Sequence, residues 1–512
     1  MSAANVDVCH FGANLTGRLL SAERRCDTGQ LITVDVLPDD VLIEIFDFYV
    51  NDEDTDDEDF GSFRKSGIEE WITLAHVCRG WRSVVFQSPR RLNLRLLCTP
   101  ERPAKDTLDI WPPLPLAIQD PYGVLNHRNG TSSVDNIIAA LEHNDRVCQI
   151  VLGRFTSPEL ECVTDSAAML KPFPELTDLW LGMFSDDRLG PILHDSFLGG
   201  TAPRLRSLKL SNVPFPGLPK LLVSATHLVN LDLYEIPRSG YIPPEVMATS
   251  LSALTSLELL FLHFRYPRPL PAPGSRHPPP LARSILPSLT KIKFKGTSEY
   301  LEEILARIDA PRLDELCITF FNQIIFDTPQ LFQFISRRPT LRAPEKGHIE
   351  FSSEDIIVNF PSRTSDYDVL SVRIPCTPSE WQLSSLQQVC ISSLPSVSAL
   401  EDLYISEARG YPPRWQDDDV EDALWLDLLR SFVAVKNLYV SEGFGPRIAP
   451  ALQELVGGRT TDVLLTLENI FLEGFQQMGP QALLLGGIEK FVAARRLTNH
   501  PVAVSHWEKF YG

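Results

Sequence analysis

The chain has 512 residues, too many for one ordinary compact core, so we expect either several domains or one elongated repeat array. Its 47 lysines and arginines against 66 aspartates and glutamates give a formal net charge of −19, which disfavours binding to phosphate backbones or anionic lipid. No apolar run reaches the roughly 18 residues that a transmembrane helix needs. We therefore predict neither a nucleic-acid nor a membrane partner.

Proline and cysteine usage narrows the fold and the compartment. The 41 prolines exceed the roughly 5% of an average chain and favour many short elements joined by turns. The nine cysteines are odd in number and scattered, and none is spaced as CxxC. Such cysteines are typical of buried thiols in a reducing compartment, so we expect an intracellular protein of the cytoplasm or nucleus.

In chain order, the first predicted element is a helix within residues 37–50, LPDDVLIEIFDFYV. Pro38 suits a first helical turn, where its missing N–H would have no partner in any case. Asp39 and Asp40 place negative charge at the positive end of the helix dipole. Helical spacing predicts that one apolar face is formed by Leu42, Ile45, Phe46 and Tyr49.

A second apolar segment follows at 71–87, WITLAHVCRGWRSVVFQ, with a predicted break at Arg79-Gly80. Its apolar positions before and after the break are Ile72, Ala75, Cys78, Trp81, Val84 and Val85. The whole unit covers about 50 residues, fewer than the roughly 70–80 that usually sustain an independent core. It should therefore depend on a neighbour, either the rest of the chain or another protein.

Between these segments lies an acidic insert, residues 51–67, with seven carboxylates in its first nine positions. Asp52, Asp54 and Asp56 alternate as in a calcium loop. However, position six is Asp57 where glycine is needed, and position twelve is Phe63 where a glutamate is needed. A solvated loop is the better interpretation.

The pairs Leu37-Pro38, Ile45-Phe46 and Val77-Cys78, with Trp81 after them, resemble the F-box pattern in order, spacing and residue type. The long acidic insert departs from the short connection usual in that family. The resemblance implies that the module docks on the Skp adaptor of a cullin ubiquitin ligase and delivers a target protein. By match to the motif, the Skp-facing candidates are Leu37, Pro38, Leu42, Ile45, Val77, Cys78 and Trp81. Some of these residues must instead pack the helices together, and the sequence does not separate the two roles.

The rest of the chain carries a recurring pattern, apolar-x-x-apolar-x-apolar. It begins at Val147, Leu176, Leu205, Leu228, Leu257, Leu289, Leu313, Val369, Leu400, Val435 and Leu467. Spacings run from 23 to 35 residues apart from one gap of 56, which predicts one degenerate unit. Four units have a proline two residues before the triplet, and two of them, APRLRSLKL and APRLDELCI, are close to copies.

This periodicity predicts one short strand per unit, with the leucines inward and the residues between them outward. Stacked strands would form a curved parallel sheet whose other side is covered by return segments, one of them a helix within 379–391. The units resemble leucine-rich repeats, and the combination resembles the large fungal F-box family, as does the tail from Phe491 to Trp507. Apolar residues replace the asparagine expected at the ninth repeat position, so no asparagine ladder is predicted. These residues are Phe184, Val213, Ile236 and Phe321.

The predicted fold class is therefore α/β, a small three-helix F-box-like module followed by an irregular leucine-rich-repeat solenoid. The predicted organisation is a flexible segment 1–32, the helical module 33–90, and the solenoid 91–512. A proline-rich loop at 265–287 interrupts the solenoid; because it lacks PxxP, it does not indicate an SH3 ligand.

Outward positions of the predicted strands are the candidates for binding a target protein. They are Trp180, Phe261, Lys291, Lys293, Lys295, Arg373, Tyr404 and Tyr439, beside Lys209, Asp232 and Phe471. The three lysines of 291–295 would project side by side, and our hypothesis is that they hold an acidic or phosphorylated segment of the target. The alternative is that these lysines only protect a strand edge.

Motifs of catalysis are missing from the sequence. It contains no GxGxxG, GxxxxGK[ST], GxSxG or HExxH, and no RING-type metal spacing. We therefore expect no enzyme activity and no cofactor or metal. Two functions stay open: a ubiquitin-ligase substrate receptor, and an interaction scaffold whose helical module only caps the solenoid. Only the first predicts an exposed apolar surface on residues 37–86.

Overall fold

A computed structural model describes residues 37–51, 70–89, 91–100, 102–119, 130–183, 190–267, 282–323, 325–342, 344–362, 368–376, 381–408, 412–413, 422–456, 463–473 and 486–507. The chain divides into two compact units. Unit 1 contains Met1–Leu97 with Thr107–Ala117, and unit 2 contains Cys98–Asp106 with Ile118–Gly512. The predicted segment 1–32, the acidic insert after Asn51, and residues 268–281 of the proline-rich loop lie outside the described residues.

The helices of the described residues are α1 (Asp39–Asn51), α2 (Glu70–Val77), α3 (Arg79–Gln87), α4 (Ala104–Ile110), α5 (Gly130–Leu141), α6 (Ser157–Thr164), α7 (Leu218–Ser224), α8 (Pro244–Leu251), α9 (Ser298–Leu305), α10 (Pro329–Ser336), α11 (Pro339–Arg342), α12 (Gln382–Ser392), α13 (Asp422–Leu429), α14 (Gly445–Glu454) and α15 (Gly486–Leu497). In this described part of the chain, no helix combines the length and the apolar character needed to cross a membrane.

Unit 1 contains the three helices α1, α2 and α3. The break between α2 and α3 falls at Cys78, one residue before the predicted position, and its thiol accepts a hydrogen bond from the N–H of Trp81 at 3.4 Å. Aromatic rings fill the core: Phe46 lies 4.8 Å from Trp81, and Trp71 lies 5.3 Å from Trp111 between ring centroids. The indole N–H of Trp71 donates to the carbonyl of Arg95 at 3.0 Å. The predicted helices therefore pack around buried aromatic residues.

The strands are β1 (Leu96–Cys98), β2 (Leu116–Gln119), β3 (Val147–Phe155), β4 (Asp178–Met183), β5 (Ser207–Ser211), β6 (Asn230–Ile236), β7 (Leu259–Phe264), β8 (Ser284–Ile285), β9 (Lys291–Gly296), β10 (Ile308–Asp309), β11 (Glu315–Phe320), β12 (Lys346–Phe351), β13 (Asp355–Pro361), β14 (Asp368–Pro375), β15 (Asp402–Glu407), β16 (Asn437–Val440), β17 (Asn469–Glu473) and β18 (Ala503–Trp507). A strand begins within two residues of every predicted triplet.

Unit 2 is built on one large, mostly parallel sheet. Its strand order from β3 is β3-β4-β5-β6-β7-β9-β11-β14-β13-β12-β15-β16-β17-β18. In this order, all neighbouring strands from β3 through β11 to β14 are parallel, and so are all neighbouring strands from β12 to β18. The α/β class and the parallel-dominated sheet are thereby confirmed, and they are compatible with a solenoid.

An antiparallel insertion interrupts the sheet where one degenerate unit was predicted. Strand β13 runs antiparallel to both β12 and β14 and lies between them. The 56-residue gap holds the helices α10 and α11 followed by β12, a strand parallel to β15, so a further unit of the sheet lies where one degenerate unit was predicted, and the reversed strand β13 is added after it. The register keeps Ile349 opposite Val358 and Val358 opposite Val372, so the buried face continues across the reversal.

Alternation along the strands separates two faces of the sheet in unit 2. The apolar triplet positions are buried, as in β9, where Ile292 and Phe294 alternate with half-exposed lysines. Helices cover this buried face: the ring of Tyr300 on α9 lies 4.6 Å from that of Phe264 on β7. The predicted return helix is confirmed as α12, with Leu383, Leu386 and Val389 buried. The opposite side of the sheet, called the outward face, carries the candidate target-binding residues.

Candidate functional site

Helix α1 in unit 1 is apolar on two sides. One side, with Leu42, Phe46 and Val50, is buried. Val41, Ile45 and Phe48 follow one another at spacings of four and three residues and are 39%, 47% and 72% exposed. We call these three residues the apolar stripe. On α2, Val77 is also exposed, at 54%.

The seven residues predicted to face Skp divide between surface and core. Pro38, Ile45 and Val77 are exposed, whereas Leu42 and Trp81 are buried. The remaining two, Leu37 and Cys78, are half-buried.

The predicted apolar face of α1 was wrong in part. Ile45 lies outside the core and Tyr49 is only half-buried, while Val50 takes the buried position. Phe48 and Val41 were missed, although the spacing of Val41, Ile45 and Phe48 in the sequence indicates a common helix face. Both sides of α1 are therefore apolar, and only one of them is used by the core.

On the outward face of unit 2, the register aligns most predicted residues in one row. Across the sheet, this central row contains Val151, Trp180, Lys209, Asp232, Phe261, Lys293, Cys317, Ser371, Asn359, His348, Tyr404, Tyr439, Phe471 and Ser505. Lys291, Lys295 and Arg373 lie beside this row, and Arg373 is 3.6 Å from the carboxylate of Asp355. The structure therefore brings the predicted residues onto one face.

Trp180 lies on the outward face but is buried, contrary to the expectation of an accessible side chain. Glycines stand beside it on both sides: a Cβ at Gly153 would lie 2.6 Å from the indole, and one at Gly182 would lie 3.3 Å from its Nε1. The ammonium of Lys209 lies 4.9 Å from the ring centroid. The indole thus lies flat on neighbouring backbone, and the glycines are the sequence signal that could have predicted it.

Carboxylates neutralise part of the basic group predicted at 291–295. The Nζ of Lys291 lies 2.5 Å from Glu315, and that of Lys209 lies 3.4 Å from Asp232. Burial lowers the pKa of Lys293, and the neighbouring Lys291 lowers it further. The three lysines do project to the same face, half-buried, so their positive charge is partly balanced within the sheet.

A β-bulge near the end of β6 brings titratable groups together. Glu235 has a φ of 54°, a conformation unusual for a residue with a side chain. Its carboxylate lies 3.2 Å from Nε2 of His263 and 3.6 Å from Arg265. Burial, and then Lys295, lower the pKa of His263 to about 3, so the imidazole is neutral at pH 7. Glu235 is therefore balanced by Arg265 rather than by His263.

The C-terminal part of the outward face is aromatic. His348, Tyr404, Tyr439 and Phe471 stack in that order with centroids 4.3, 4.1 and 4.5 Å apart and planes within 8° of parallel. Burial raises the pKa of the Tyr404 phenol, and Tyr439 raises it further. We call these four side chains the aromatic stack.

Beside the aromatic stack, the amide of Asn469 donates to Asn437 at 2.8 Å and Asn437 donates to Asp402 at 2.7 Å. These two hydrogen bonds form a short side-chain ladder across β15 to β17, and they do not bear on the prediction for the ninth repeat position. This ladder lies on the outward face, at the first outward position of each strand, and not at the ninth repeat position.

Neither a known protein-family model nor a curated protein matches this chain. Among the described residues, no three or more histidine, cysteine, aspartate or glutamate side chains are grouped to hold a metal ion. Among the described residues, the surfaces that carry the predicted binding residues are the apolar stripe with Val77 in unit 1 and the outward face in unit 2.

Proposed function

We propose that the protein is a substrate-recognition adaptor of a Skp–cullin ubiquitin ligase. In this proposal, helices α1 to α3 dock on Skp, and the outward face of unit 2, taken as a leucine-rich-repeat solenoid, binds the target. The supporting observation is the apolar stripe together with Val77. Ile45 and Val77 occupy positions that match the F-box pattern, and both are about half exposed. Adjacent exposed apolar side chains mark an interaction surface more often than scattered ones do.

The alternative function, a scaffold whose helical module only caps the repeats, gives the stripe no role. A cap needs an apolar side toward the repeats and a polar side toward water. In α1 the second side carries Val41, Ile45 and Phe48 instead of polar residues alone. This pattern favours an adaptor over a cap.

Skp docking is tested by charge substitution within the stripe. The Ile45→Asp/Phe48→Asp variant and the unmodified full chain are each co-expressed with the host's Skp adaptor. We expect stable 1:1 co-purification of the unmodified chain and loss of Skp from the variant, because both carboxylates would be desolvated at the interface. Val223→Asp is the matched control, since Val223 is an exposed valine on a helix of unit 2 (57%) and should leave Skp binding intact. Equal Skp recovery with all three chains, or none with the unmodified chain, contradicts the proposal.

Target binding is tested at the three lysines of β9. Reversing Lys291, Lys293 and Lys295 to glutamate should abolish capture of target proteins cross-linked to the chain in host cells, while Skp still co-purifies. The reversal also breaks the ion pair of Lys291 with Glu315. Lys436→Glu is therefore the control, because Lys436 lies outside β9 and its Nζ forms an ion pair with Glu401 at 3.0 Å. Unchanged capture by the triple variant means that the lysines only protect the sheet.

A further inference from the structure

Trp507 lies across the aromatic stack. Its ring centroid is 5.9 Å from Tyr404 and 5.5 Å from Tyr439, at interplanar angles of 70° and 78°. Both faces of Tyr404 are occupied by His348 and Tyr439, and both faces of Tyr439 by Tyr404 and Phe471. The tyrosines can therefore meet Trp507 only by their ring edges, so the indole places one face on those edges.

The indole is held in this orientation from two sides. Its N–H donates to the carbonyl of Val440 on β16 at 3.2 Å, and its backbone pairs with Glu473 on β17. Trp507 is half-exposed, and the face opposite the tyrosines points away from the stack. A fixed indole with one open face is the strongest side-chain platform for a cation.

The row next to the aromatic stack adds negative charge. When the strand register is continued two residues beyond the aromatic stack, this row consists of Glu350, Ser406, Ser441, Glu473 and Trp507. Both glutamates are half-buried, and neither has an ion-pair partner within the part of the chain that the structure describes. The serines are buried between them.

A buried polar group in this row also lacks a partner. The hydroxyl oxygen of Ser441, in a residue only 2% exposed, makes no hydrogen bond to the described residues. It continues the outward side of β16 two residues after Tyr439, close to the carbonyl that holds Trp507. An unpaired buried hydroxyl costs stability unless a ligand or water completes it.

We propose that this surface, formed by Trp507 with Glu350 and Glu473, binds an extended segment carrying two basic side chains. The glutamates stand on β12 and β17, three strand spacings apart in the sheet, which is about 14 Å at ~4.8 Å per spacing. An extended chain covers that distance in about four residues at ~3.4 Å each. Arginines four positions apart would each reach one carboxylate, with an aliphatic stem or guanidinium on the open indole face. The identification of this segment as part of a ubiquitination target rests on the proposed function. The cation site itself is independent of that function.

The test uses the full chain and a fluorescent peptide with two arginines separated by three Gly, Ser or Pro residues. Its binding is measured by fluorescence anisotropy against the same peptide with citrulline, a neutral isostere, in place of both arginines. We expect the arginine peptide to bind more tightly, with an affinity that falls as salt rises. Glu350→Gln/Glu473→Gln should weaken binding about tenfold or more, and Trp507→Leu about fivefold. Glu454→Gln, an exposed glutamate on α14, is the matched control and should leave binding unchanged.

Equal binding of the arginine and citrulline peptides, or unchanged binding by both site variants, overturns the inference. Skp co-purification is measured on the same preparations to separate the two proposals. Skp binding without arginine-dependent peptide binding removes only the cation site. Peptide binding without Skp removes the adaptor proposal and leaves the cation site standing.

Discussion

The two units of the molecule place their apolar residues differently. In unit 2 the strands alternate, so the apolar positions of each triplet lie beneath helices and the outward positions are charged, polar or stacked aromatic. In unit 1, α1 buries Phe46 and exposes Phe48. A period of two assigns every residue to one of two faces, whereas a helix leaves further sides for a second apolar surface. Alternation therefore confines the triplet residues of unit 2 to one face of the sheet, whereas α1 of unit 1 carries apolar residues on two sides.

The largest effect should separate the two sides of α1. Phe46→Ala removes a fully buried ring that packs 4.8 Å from Trp81, and we expect unit 1 to lose about 3–5 kcal/mol of stability. Phe48→Ala, two residues further on the same helix, should change stability by about 0.5 kcal/mol or less. Hydrogen exchange of α1 to α3 measures both. Similar losses in the two variants would mean that Phe48 belongs to the core.

A second pair sharpens the comparison within the sheet of unit 2. Leu403→Ala removes a fully buried side chain and should cost about 2–5 kcal/mol. Its neighbour Tyr404 contributes through stacking, so Tyr404→Ala should cost less, about 1–3 kcal/mol for its two stacked contacts. Denaturant unfolding of the full chain followed by exchange in β15 gives both values. A larger loss at Tyr404 than at Leu403 would make the outward face part of the core.

The smallest expected effect is a pH-dependent change in stability at the contact between α9 and α10 of unit 2. Glu302 on α9 accepts hydrogen bonds from the backbone N–H groups of Gln330 and Leu331 at the start of α10, at 2.8 and 2.7 Å. Burial raises its pKa to about 7 from 4.5, although these two N–H groups favour the charged form. Between pH 4.5 and about pH 7, the carboxyl of Glu302 is therefore protonated in the folded chain and ionised in the unfolded chain. Stability from this group is complete below the unfolded pKa and is lost as the pH rises through 7.

We thus expect the stability of the unmodified chain to fall between about pH 5 and about pH 8, and Glu302→Gln to remove that part of the slope. Unfolding by denaturant across this pH range measures it. Glu299→Gln, on the same helix, is the control and should keep the slope. An identical pH profile for Glu302→Gln and the unmodified chain would show that the carboxyl does not titrate there.

Much of the sheet could be predicted because spacing encodes it. Each of the eleven triplets, such as those at Leu176 and Leu313, gives a strand, since three apolar positions at strand alternation must face one core. The hairpin of β12 and β13 could not be predicted. Its sequences alternate as well as the others do, but alternation fixes the face that a side chain takes and carries no information on chain direction.

The sequence predicted which residues belong to the candidate sites better than it predicted how buried they are and which side chains they contact. The pattern around Ile45 identified an apolar position, yet only the packing of Trp81 on Phe46 decides which side of α1 is left exposed. Tyr404 and Tyr439 were placed on the outward face correctly. Trp507 joins them from a separate strand, 68 positions after Tyr439 along the sequence, and no local periodicity links the two.

Hydrogen–deuterium exchange of the full chain, with and without the host's Skp adaptor, tests the central claim most directly. Skp should protect residues 39–51, which contain the apolar stripe, and residues 70–77, which end at the exposed Val77, while leaving the exchange of β9 and β15 unchanged. Protection confined to the strands of unit 2, or no protection anywhere at saturating Skp, would contradict the account.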